Sequence, residues 1–291
     1  DPDDIIYKIN STSFTYNSKD VNSFKLRGAE TVLINLSNSL LKLGHQVTVI
    51  NNCQRNEQIN NINWININNL SEKLTFDLAV SNNDCQLFDK VNSKKKILLS
   101  HSIQNIEKFI RKNQFFSYFK HKPKVALLGK YHLKKRSFIT RMFGYFLLPY
   151  GIDEIFINTK LNYINGIDKD LAIFTSRSDR NLDLLINIWK NSIHPNFKNG
   201  KLLITPKKDC SSENSNIISR VTGDRETMIN DLNSSRMFLV PGHEAELFCL
   251  AAEEARELCL PIITLGIGSL SERVIHGETG FIAKNNDEFS Q

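Results

Sequence analysis

Two glutamates in the carboxyl-terminal half have a spacing that suits an extended polar ligand better than acid–base chemistry. Glu246 and Glu254 are eight residues apart, and the pattern of residues 246–258 predicts that both lie on one helix. Eight helical residues turn through about 800°, so the carboxylates would stand about 80° apart in azimuth and ~12 Å apart along the axis. At that separation they cannot serve one atom as acid and base, but they could hold opposite ends of a hydroxyl-bearing ligand. The structural alternative is a glutamate-rich helix start that complements the helix dipole.

Two arginines and a histidine follow predicted strands. Arg177 and Arg180 come after the apolar run at residues 171–174, and His101 follows the run at residues 97–99. Guanidinium groups stay charged at any working pH, so two of them at the carboxyl end of a strand can neutralise a departing diphosphate. A histidine at a strand end can donate a hydrogen bond to a ligand. Exposed loop arginines and a surface histidine are the structural alternatives.

The elements that must position these side chains begin with a strand, a helix and a strand. A strand is predicted at residues 5–9, a helix opens at Gly28 and ends at Gly44, and a strand follows at residues 47–50. The helix has apolar residues at Leu33, Leu36, Leu40 and Leu43, which step by three and four. This order is typical of a parallel sheet, because a parallel connection needs a helical crossover. Further strands are predicted at residues 78–80, 97–99 and 125–128.

The pattern restarts after Pro149 and Gly151, which punctuate the chain. Asp168-Lys169-Asp170 precedes the next predicted strand, so we assign it to a linker and expect no metal there. The second series has predicted strands at residues 171–174, 202–204, 237–240 and 262–264, and predicted helices at residues 181–189 and 246–258. We therefore predict an α/β fold of two Rossmann-like domains, residues 1–150 and 151–291, that face each other across a cleft.

The composition is that of a globular protein. Of the 291 residues 41% are hydrophobic and 23% charged, and no apolar run approaches the ~18 residues that cross a bilayer. Five cysteines, including Cys210, have no CxxC spacing and an odd number, which argues against a disulfide framework. The first residues have neither a basic leader nor an apolar signal core. We therefore expect a cytoplasmic protein.

Residues 120–141, the basic segment, carry much of the excess positive charge and contain no acidic residue. Tyr131 and Phe138 lie among the cations. Anionic lipid headgroups, nucleic acid or a phosphorylated substrate could use such a segment, and a solvated basic face is the structural alternative. We expect an anionic membrane surface on the cytoplasmic side, and no nucleic acid. The cations are Lys120, Lys122, Lys124, Lys130, Lys134, Lys135, Arg136 and Arg141.

One stretch resembles the donor-site signature of the retaining glycosyltransferases of family four, the group 1 glycosyltransferases with the GT-B fold. The family pattern is Glu-Gly-Phe-Gly-Leu, three residues, then Glu-Ala. This chain has Glu246-Leu247-Phe248-Cys249-Leu250, three residues, then Glu254-Ala255. The spacing is the same, but Leu247 and Cys249 replace both glycines, so their side chains would partly screen amides that the family brings close to the sugar phosphate.

The resemblance implies roles for residues of the second domain. Glu254 would bind the ribose hydroxyls and Glu246 the transferred sugar. The main chain at Phe248, Cys249 and Leu250 would lie beside the diphosphate, with Gly268 in the closing turn. Arg177 and Arg180 match the positions of the family's Arg and Lys, which balance the charge of the leaving diphosphate.

In the first domain the resemblance rests on shorter matches. Arg27-Gly28-Ala29-Glu30 stands where the family has Gly-Gly-Ala-Glu, so Gly28 keeps one of the two loop glycines and is assigned to the donor. His101 matches a cleft histidine that many members place near the sugar. Pro149-Tyr150-Gly151-Ile152-Asp153 is similar to the family's interdomain segment.

The sequence thus predicts transfer of a sugar from a nucleoside diphosphate sugar to a hydroxyl acceptor, with retention implied by the resemblance. The resemblance implies that residues 1–150 form the acceptor side and residues 151–291 the nucleotide-sugar donor side. We expect a glycan or a lipid-linked glycan as acceptor, the nucleotide-sugar as co-substrate, and neither a metal nor another cofactor. A dinucleotide oxidoreductase is disfavoured because no GxGxxG follows the first strand. The replaced glycines keep open the alternative of a catalytically silent GT-B protein that binds a nucleotide or a glycan.

Overall fold

The computed structural model describes residues 4–9, 15–20, 28–161, 166–205, 207–209 and 215–291. Arg27 and Cys210, which the sequence analysis named, lie outside them. The chain divides into two compact units, Asp1–Tyr150 and Gly151–Gln291. Each unit has its own sheet and apolar core. No helix among the described residues is long and apolar enough to cross a membrane.

In the part of the first unit that the structure describes, eight strands form one sheet in the order β3-β4-β2-β1-β5-β6-β7-β8. All neighbours are parallel except β3 and β4. The strands are β1 (Asp4–Ile9), β2 (Gln46–Asn51), β3 (Glu57–Ile59), β4 (Ile62–Asn66), β5 (Thr75–Asn82), β6 (Asn92–Leu99), β7 (Lys124–Leu127) and β8 (Tyr145–Leu147); the helices are α1 (Gly28–Lys42), α2 (Ile106–Arg111), α3 (Phe115–His121) and α4 (Lys130–Lys135).

Helix α1 begins at Gly28, as predicted, and buries Leu33 and Ile34 against the sheet. It ends in a Schellman motif, in which Gly44 has φ +92° and the amide of His45 donates to Leu40 O at 3.1 Å. Leu43 follows the last helical residue and is exposed, although its spacing placed it on the apolar face.

The second unit has a six-stranded parallel sheet within its described residues, in the order β11-β10-β9-β12-β13-β14. Its core includes Phe174 and Phe238 from the two central strands and Trp189, which follows α6 in a π-helical turn (Trp189–Ile193). The strands are β9 (Asp168–Phe174), β10 (Lys201–Ile204), β11 (Ile217–Ser219), β12 (Ser235–Leu239), β13 (Ile262–Thr264) and β14 (Gly280–Ile282); the helices are α5 (Glu154–Ile157), α6 (Leu182–Ile188), α7 (His194–Asn196), α8 (Arg225–Ser234), α9 (Leu250–Glu257), α10 (Leu270–Arg273) and α11 (Asn286–Ser290).

Two predicted elements were wrong. Asp168-Lys169-Asp170 is the beginning of β9 rather than a linker, and Asp168 forms an ion pair with Lys201 at 3.0 Å on the neighbouring strand. The helix predicted over residues 246–258 begins only at Leu250, because Cys249 adopts a left-handed conformation with φ +60°. Glu246 therefore lies in the loop before α9, and the calculation that placed both glutamates on one helix does not apply.

Candidate active site

The candidate site of the second unit lies where the strand order reverses. The next strand in the chain, β10, lies on one side of β9 in the sheet, and β12, which comes later in the chain, lies on its other side. Ligands of open parallel sheets bind at the carboxyl ends of the strands at such a switch point. Here β9 ends at Phe174 and β12 at Leu239, so the loops that follow them, residues 175–181 and 240–249, form the edge of the candidate site.

Arg180 and Glu246, one from each loop, form an ion pair at this edge. The Nε of Arg180 donates to Glu246 Oε2 at 3.1 Å, and both side chains are largely buried, with 13% and 20% of their surface exposed. The amide of Cys249 donates to the other oxygen of Glu246, Oε1, at 3.1 Å. Arg180 also contacts Asp179 Oδ2 at 3.0 Å. Partial burial strengthens these charge-assisted bonds, so they fix the carboxylate of Glu246.

Arg177 has a different environment from Arg180. Its side chain is 72% exposed, and its Nε and Nη2 donate to the two carboxylate oxygens of Asp179 at 3.0 and 2.7 Å. Exposed ion pairs of this kind contribute little to stability, so the side chain can move to another anion at small cost. The two predicted arginines therefore share the Asp179 carboxylate, but Arg180 alone of the two contacts Glu246.

The residues that replace the family's glycines point into the protein. Leu247 and Cys249 are 5% and 4% exposed, and Cys249 belongs to the core cluster of the unit. Cys249 keeps a glycine-like φ of +60°, which few non-glycine residues adopt. Burial raises the pKa of its thiol, which is therefore neutral. Both replacing side chains are therefore accommodated inside the unit.

Phe248 and Leu250 anchor the beginning of α9. The guanidinium carbon of Arg273 stands 4.6 Å from the centre of the Phe248 ring, and Arg273 also pairs with Glu253 at 2.9 Å. Leu250 is the first residue of α9, so its amide is among those at the positive end of the helix dipole. Arg180 and the amide of Cys249, directly before α9, both contact Glu246, and a guanidinium beside amides at a helix start suits a diphosphate.

Glu254 belongs to a separate local cluster. It lies on α9, and the ion pair between Arg225 and Asp153, with an Nη1–Oδ2 distance of 3.2 Å, is close enough to affect its ionisation. Burial raises the pKa of Glu254 to about 7; Arg225 opposes the rise and Asp153 adds to it. Glu254 is thus partly protonated near neutral pH. Sequence reasoning did not identify Arg225 as a neighbour of Glu254, because it lies on α8, far from Glu254 in the chain, and no local pattern connects the two.

Gly268 packs closely against the main chain of the loop that contains Glu246. Its φ is +76°, and a Cβ there would collide with the carbonyl oxygen of His243 and lie 3.0 Å from that of Glu246. The amide of Ser269 donates to that Glu246 oxygen at 3.0 Å. Gly268, predicted to bind the donor, therefore contacts the main chain that carries Glu246.

In the first unit, His101 follows β6 as predicted. Its amide donates to Asn83 Oδ1 at 2.7 Å, and its Nδ1 contacts the hydroxyl of Tyr150. Burial, with a smaller effect of His132, lowers the pKa of His101 to about 3, so its ring is neutral at physiological pH. Gly28, the predicted donor-binding glycine, is the exposed first residue of α1.

The basic segment is not a continuous basic face. Arg136 is 3% exposed; its Nη1 donates to Ser100 Oγ at 2.6 Å and its Nη2 to Thr140 O at 3.1 Å. Burial lowers its pKa to about 10, so the guanidinium remains charged. Lys120 pairs with Asp89 at 2.5 Å. The exposed cations of the segment are Lys120, Lys122, Lys124, Lys130, Lys134 and Lys135.

The chain is similar to glycosyltransferases in the sequence of its second unit and in fold. Residues 169–291 match the family described as Glycosyl transferases group 1. Sucrose-phosphate synthase from Thermosynechococcus elongatus has a TM-score of 0.68 at 13% identity, over 99% of this chain and 88% of that one. WaaG, a glycosyltransferase involved in lipopolysaccharide biosynthesis, has a TM-score of 0.67 at 12% identity, over 98% and 88%. HepE of Anabaena, in complex with UDP and glucose, has a TM-score of 0.67 at 13% identity, over 99% of this chain and 88% of that one.

No curated protein matches the sequence. The matched residues 169–291 include Arg177, Arg180, Glu246 and Glu254, which the sequence analysis had singled out. At 12–13% identity the solved structures show the fold alone, and that fold confirms the predicted α/β class with two Rossmann-like domains. Residues 169–291 are therefore similar to the group 1 glycosyl transferases, and the chain has the two-domain GT-B fold.

Proposed function

We propose that the protein transfers a sugar from a nucleoside diphosphate sugar to a hydroxyl group of an acceptor, with retention at the anomeric carbon. The observation that carries this proposal is the largely buried Arg180–Glu246 pair at the carboxyl ends of β9 and β12, beside the beginning of α9. A guanidinium and helix amides suit a diphosphate, and a carboxylate next to them suits sugar hydroxyls.

In the proposed step, the bond between the anomeric carbon and the diphosphate oxygen breaks. The acceptor oxygen forms its bond to that carbon on the same face, and its proton passes to a departing phosphate oxygen. Arg180, joined by the exposed and movable Arg177, balances the charge that develops on the diphosphate. Because guanidinium groups supply this charge, we propose that neither a metal nor a cofactor besides the co-substrate takes part.

Glu254 is the proposed partner of the ribose hydroxyls. Its carboxylate is an acceptor of strong hydrogen bonds, and the neighbouring Arg225–Asp153 pair gives it a defined environment. The main chain at Cys249 and Leu250 is the proposed neighbour of the diphosphate. HepE, which has a similar fold, is described in complex with UDP and glucose, and this supports a nucleoside diphosphate sugar as the donor class.

We further propose a glycan or lipid-linked acceptor, and a cytoplasmic enzyme that binds the membrane peripherally. Exposed Lys134 and Lys135 lie in the same segment as Phe138, and Met142 follows directly after it; Phe138 and Met142 are 68% and 45% exposed. The cations would approach anionic headgroups while the apolar side chains enter the interface.

A catalytically silent, ligand-binding protein is the second candidate. One observation favours it: both oxygens of Glu246 already accept hydrogen bonds, from Arg180 and from Cys249. A sugar would have to compete with these bonds or share the oxygens.

Calorimetry with nucleoside diphosphates, followed by assays of nucleotide-sugar hydrolysis and transfer, tests the proposal. We expect binding of a nucleoside diphosphate and its enzymatic release from the matching sugar donor. Binding without any release in the presence of acceptors would favour the silent protein, and absence of binding would contradict both candidates.

A further inference from the structure

The side chain of Phe248 anchors the loop that carries Glu246. Phe248 lies two residues after Glu246, just before α9, and its ring is buried. The amide of Cys249 donates to Glu246 Oε1 at 3.1 Å. That amide is part of the planar peptide unit that joins Phe248 to Cys249, so a fixed Phe248 also fixes the donor of this hydrogen bond. The orientation of the Glu246 carboxylate therefore depends on what holds the Phe248 ring.

Arg273, the last residue of α10, holds that ring. Its guanidinium carbon stands 4.6 Å from the ring centre, and its side chain is 15% exposed. A guanidinium at this distance is attracted to the electrons of an aromatic ring, and the attraction is stronger where water is largely excluded. The contact thus fixes the Phe248 ring from the side of α10.

A network of ion pairs fixes the guanidinium of Arg273 in turn. Its Nη1 pairs with Glu253 Oε1 at 2.9 Å, and the other oxygen of Glu253 pairs with Arg256. Arg256 also donates from Nη1 to the carbonyl oxygen of Arg273 at 3.2 Å. Glu253 and Arg256 lie on α9, so the network joins α9 to α10. Glu253 has two arginine partners, but of these two only Arg273 lies over the Phe248 ring.

The stability of the unit does not explain a charged residue at position 273. The Nε of Arg273 is buried and has no hydrogen-bond partner among the described residues. Largely buried ion pairs are often no more stabilising than apolar side chains of similar volume, because both charges lose their hydration. What the charge does supply is a directed contact with the Phe248 ring.

We propose that Arg273 is a positioning residue for sugar transfer. It holds the Phe248 ring, and through the peptide unit between Phe248 and Cys249 it keeps the Glu246 carboxylate in the orientation that receives the sugar. This inference rests on the proposed function for the role of Glu246, and on the contacts around Phe248 for the linkage. Arg273 acts through Glu246 and does not itself contact the substrate.

Steady-state transfer by matched arginine variants tests the role. Arg273→Leu leaves an apolar side chain against the ring but removes the charge, and we expect kcat to fall about tenfold. Arg273→Lys keeps a cation there and should retain about half of kcat or more. Arg256→Leu is the matched control, because it removes the other arginine partner of Glu253 without touching the ring; its kcat should stay within about twofold.

A double-mutant cycle tests whether Arg273 acts through Glu246. In a Glu246→Ala background no carboxylate remains to be oriented, so adding Arg273→Leu should lower kcat by less than about twofold. A full tenfold loss in that background would overturn the inference, because Arg273 would then act independently of Glu246. Equal losses of kcat in Arg273→Leu and Arg256→Leu would also overturn it, since they would show a general loosening of the network.

Hydrogen exchange of the Cys249 amide, followed by NMR on the full chain, tests the linkage without any assay of activity. We expect this amide to exchange at least about tenfold faster in Arg273→Leu, and within about threefold of the unmodified chain in Arg256→Leu. An unchanged rate in Arg273→Leu, or the same acceleration in both variants, would overturn the inference. Absence of transfer by the unmodified chain would reject the proposed function, whereas the exchange rates would still decide whether Arg273 positions the loop.

Discussion

Arg180 and Glu246 are 66 residues apart in the chain, yet the Nε of the arginine donates to the carboxylate of the glutamate at 3.1 Å. The contact exists because β9 and β12 are neighbours and each is followed by a loop at the same edge of the sheet. The pair places a permanent positive charge beside a fixed acceptor, which is the chemistry that departure of a sugar from a diphosphate requires.

We expect Arg180→Ala to lower kcat for sugar transfer by roughly a hundredfold, because removal of one charge contact to a transition state typically costs ~3 kcal/mol. Circular dichroism should show an intact fold. Arg236→Ala is the matched control: Arg236 is exposed near the amino end of β12, the strand whose other end carries the site. Equal turnover of Arg180→Ala and the control would remove Arg180 from the mechanism.

The sequence was sufficient for the fold class because apolar runs and leucine spacing are local signals. The helix start at Gly28 and the strands that precede His101 and Arg177 are read directly from such signals. The loop of Glu246 was missed because the left-handed Cys249 is set by packing, which periodicity does not record.

Burial was the other feature that the sequence could not supply. Arg136 was assigned to a basic surface, but the hydroxyl of Ser100 and the carbonyl of Thr140 hold it inside the unit. Asn82 lies two residues after the predicted strand at residues 78–80 and was not singled out; that its buried amide has no hydrogen-bond partner among the described residues depends on distant elements. The strands β3, β4, β8, β11 and β14 were not predicted, because runs of three to five residues give little pattern; β13 is equally short and was predicted from its continuous apolar run.

Nucleotide-sugar binding should strengthen as the pH rises from about 6 to about 8. The pKa of Glu254 is about 7, and its ionised form is the better acceptor for ribose hydroxyls. Glu254→Gln should lose this pH dependence and bind more weakly, whereas Glu257→Gln, exposed on the same helix, should keep it. Calorimetry at several pH values is the measurement, and a pH dependence that survives in Glu254→Gln would exclude Glu254 as its source.

The same pKa shift predicts an effect on stability. The folded-state pKa lies above the ordinary value of 4.5, so Glu254 holds a proton more tightly when folded, and stability falls as the pH rises from about 4.5 to about 7. Glu254→Gln should therefore raise the free energy of unfolding by roughly 1–3 kcal/mol at about pH 8 and change it little near pH 4. Urea unfolding at both pH values measures this, and a destabilised variant at the higher pH would contradict it.

Gly268→Ala should destabilise the second unit by more than about 2 kcal/mol, because it adds a collision with the His243 carbonyl to the strain of a positive φ. Gly44→Ala separates the two effects: Gly44 has φ +92°, but no atom lies within 4 Å of its Cβ position, so strain alone costs about 1 kcal/mol. Urea unfolding of both variants is the measurement. If both variants lost the same free energy of unfolding, the close packing at Gly268 would make no contribution to the cost of its substitution.

Sedimentation with anionic vesicles should detect binding that weakens as salt rises, because salt screens the attraction between the exposed lysines and the headgroups. The double variant Phe138→Ser with Met142→Ser should reduce binding about tenfold or more. Phe116→Ser is the control, since Phe116 is 86% exposed on α3 outside the basic segment. Salt-independent binding, or none, would rule out the membrane proposal.

Release of a nucleoside diphosphate from a panel of nucleotide-sugars tests the central claim most directly. The purified chain would be incubated with each donor, with and without a panel of glycan and lipid-linked acceptors, and the products measured by mass spectrometry. The account predicts that at least one donor loses its sugar, that an acceptor gains it, and that Arg180→Ala slows both about a hundredfold. No release from any donor that the chain binds, or equal release by Arg180→Ala, would contradict it.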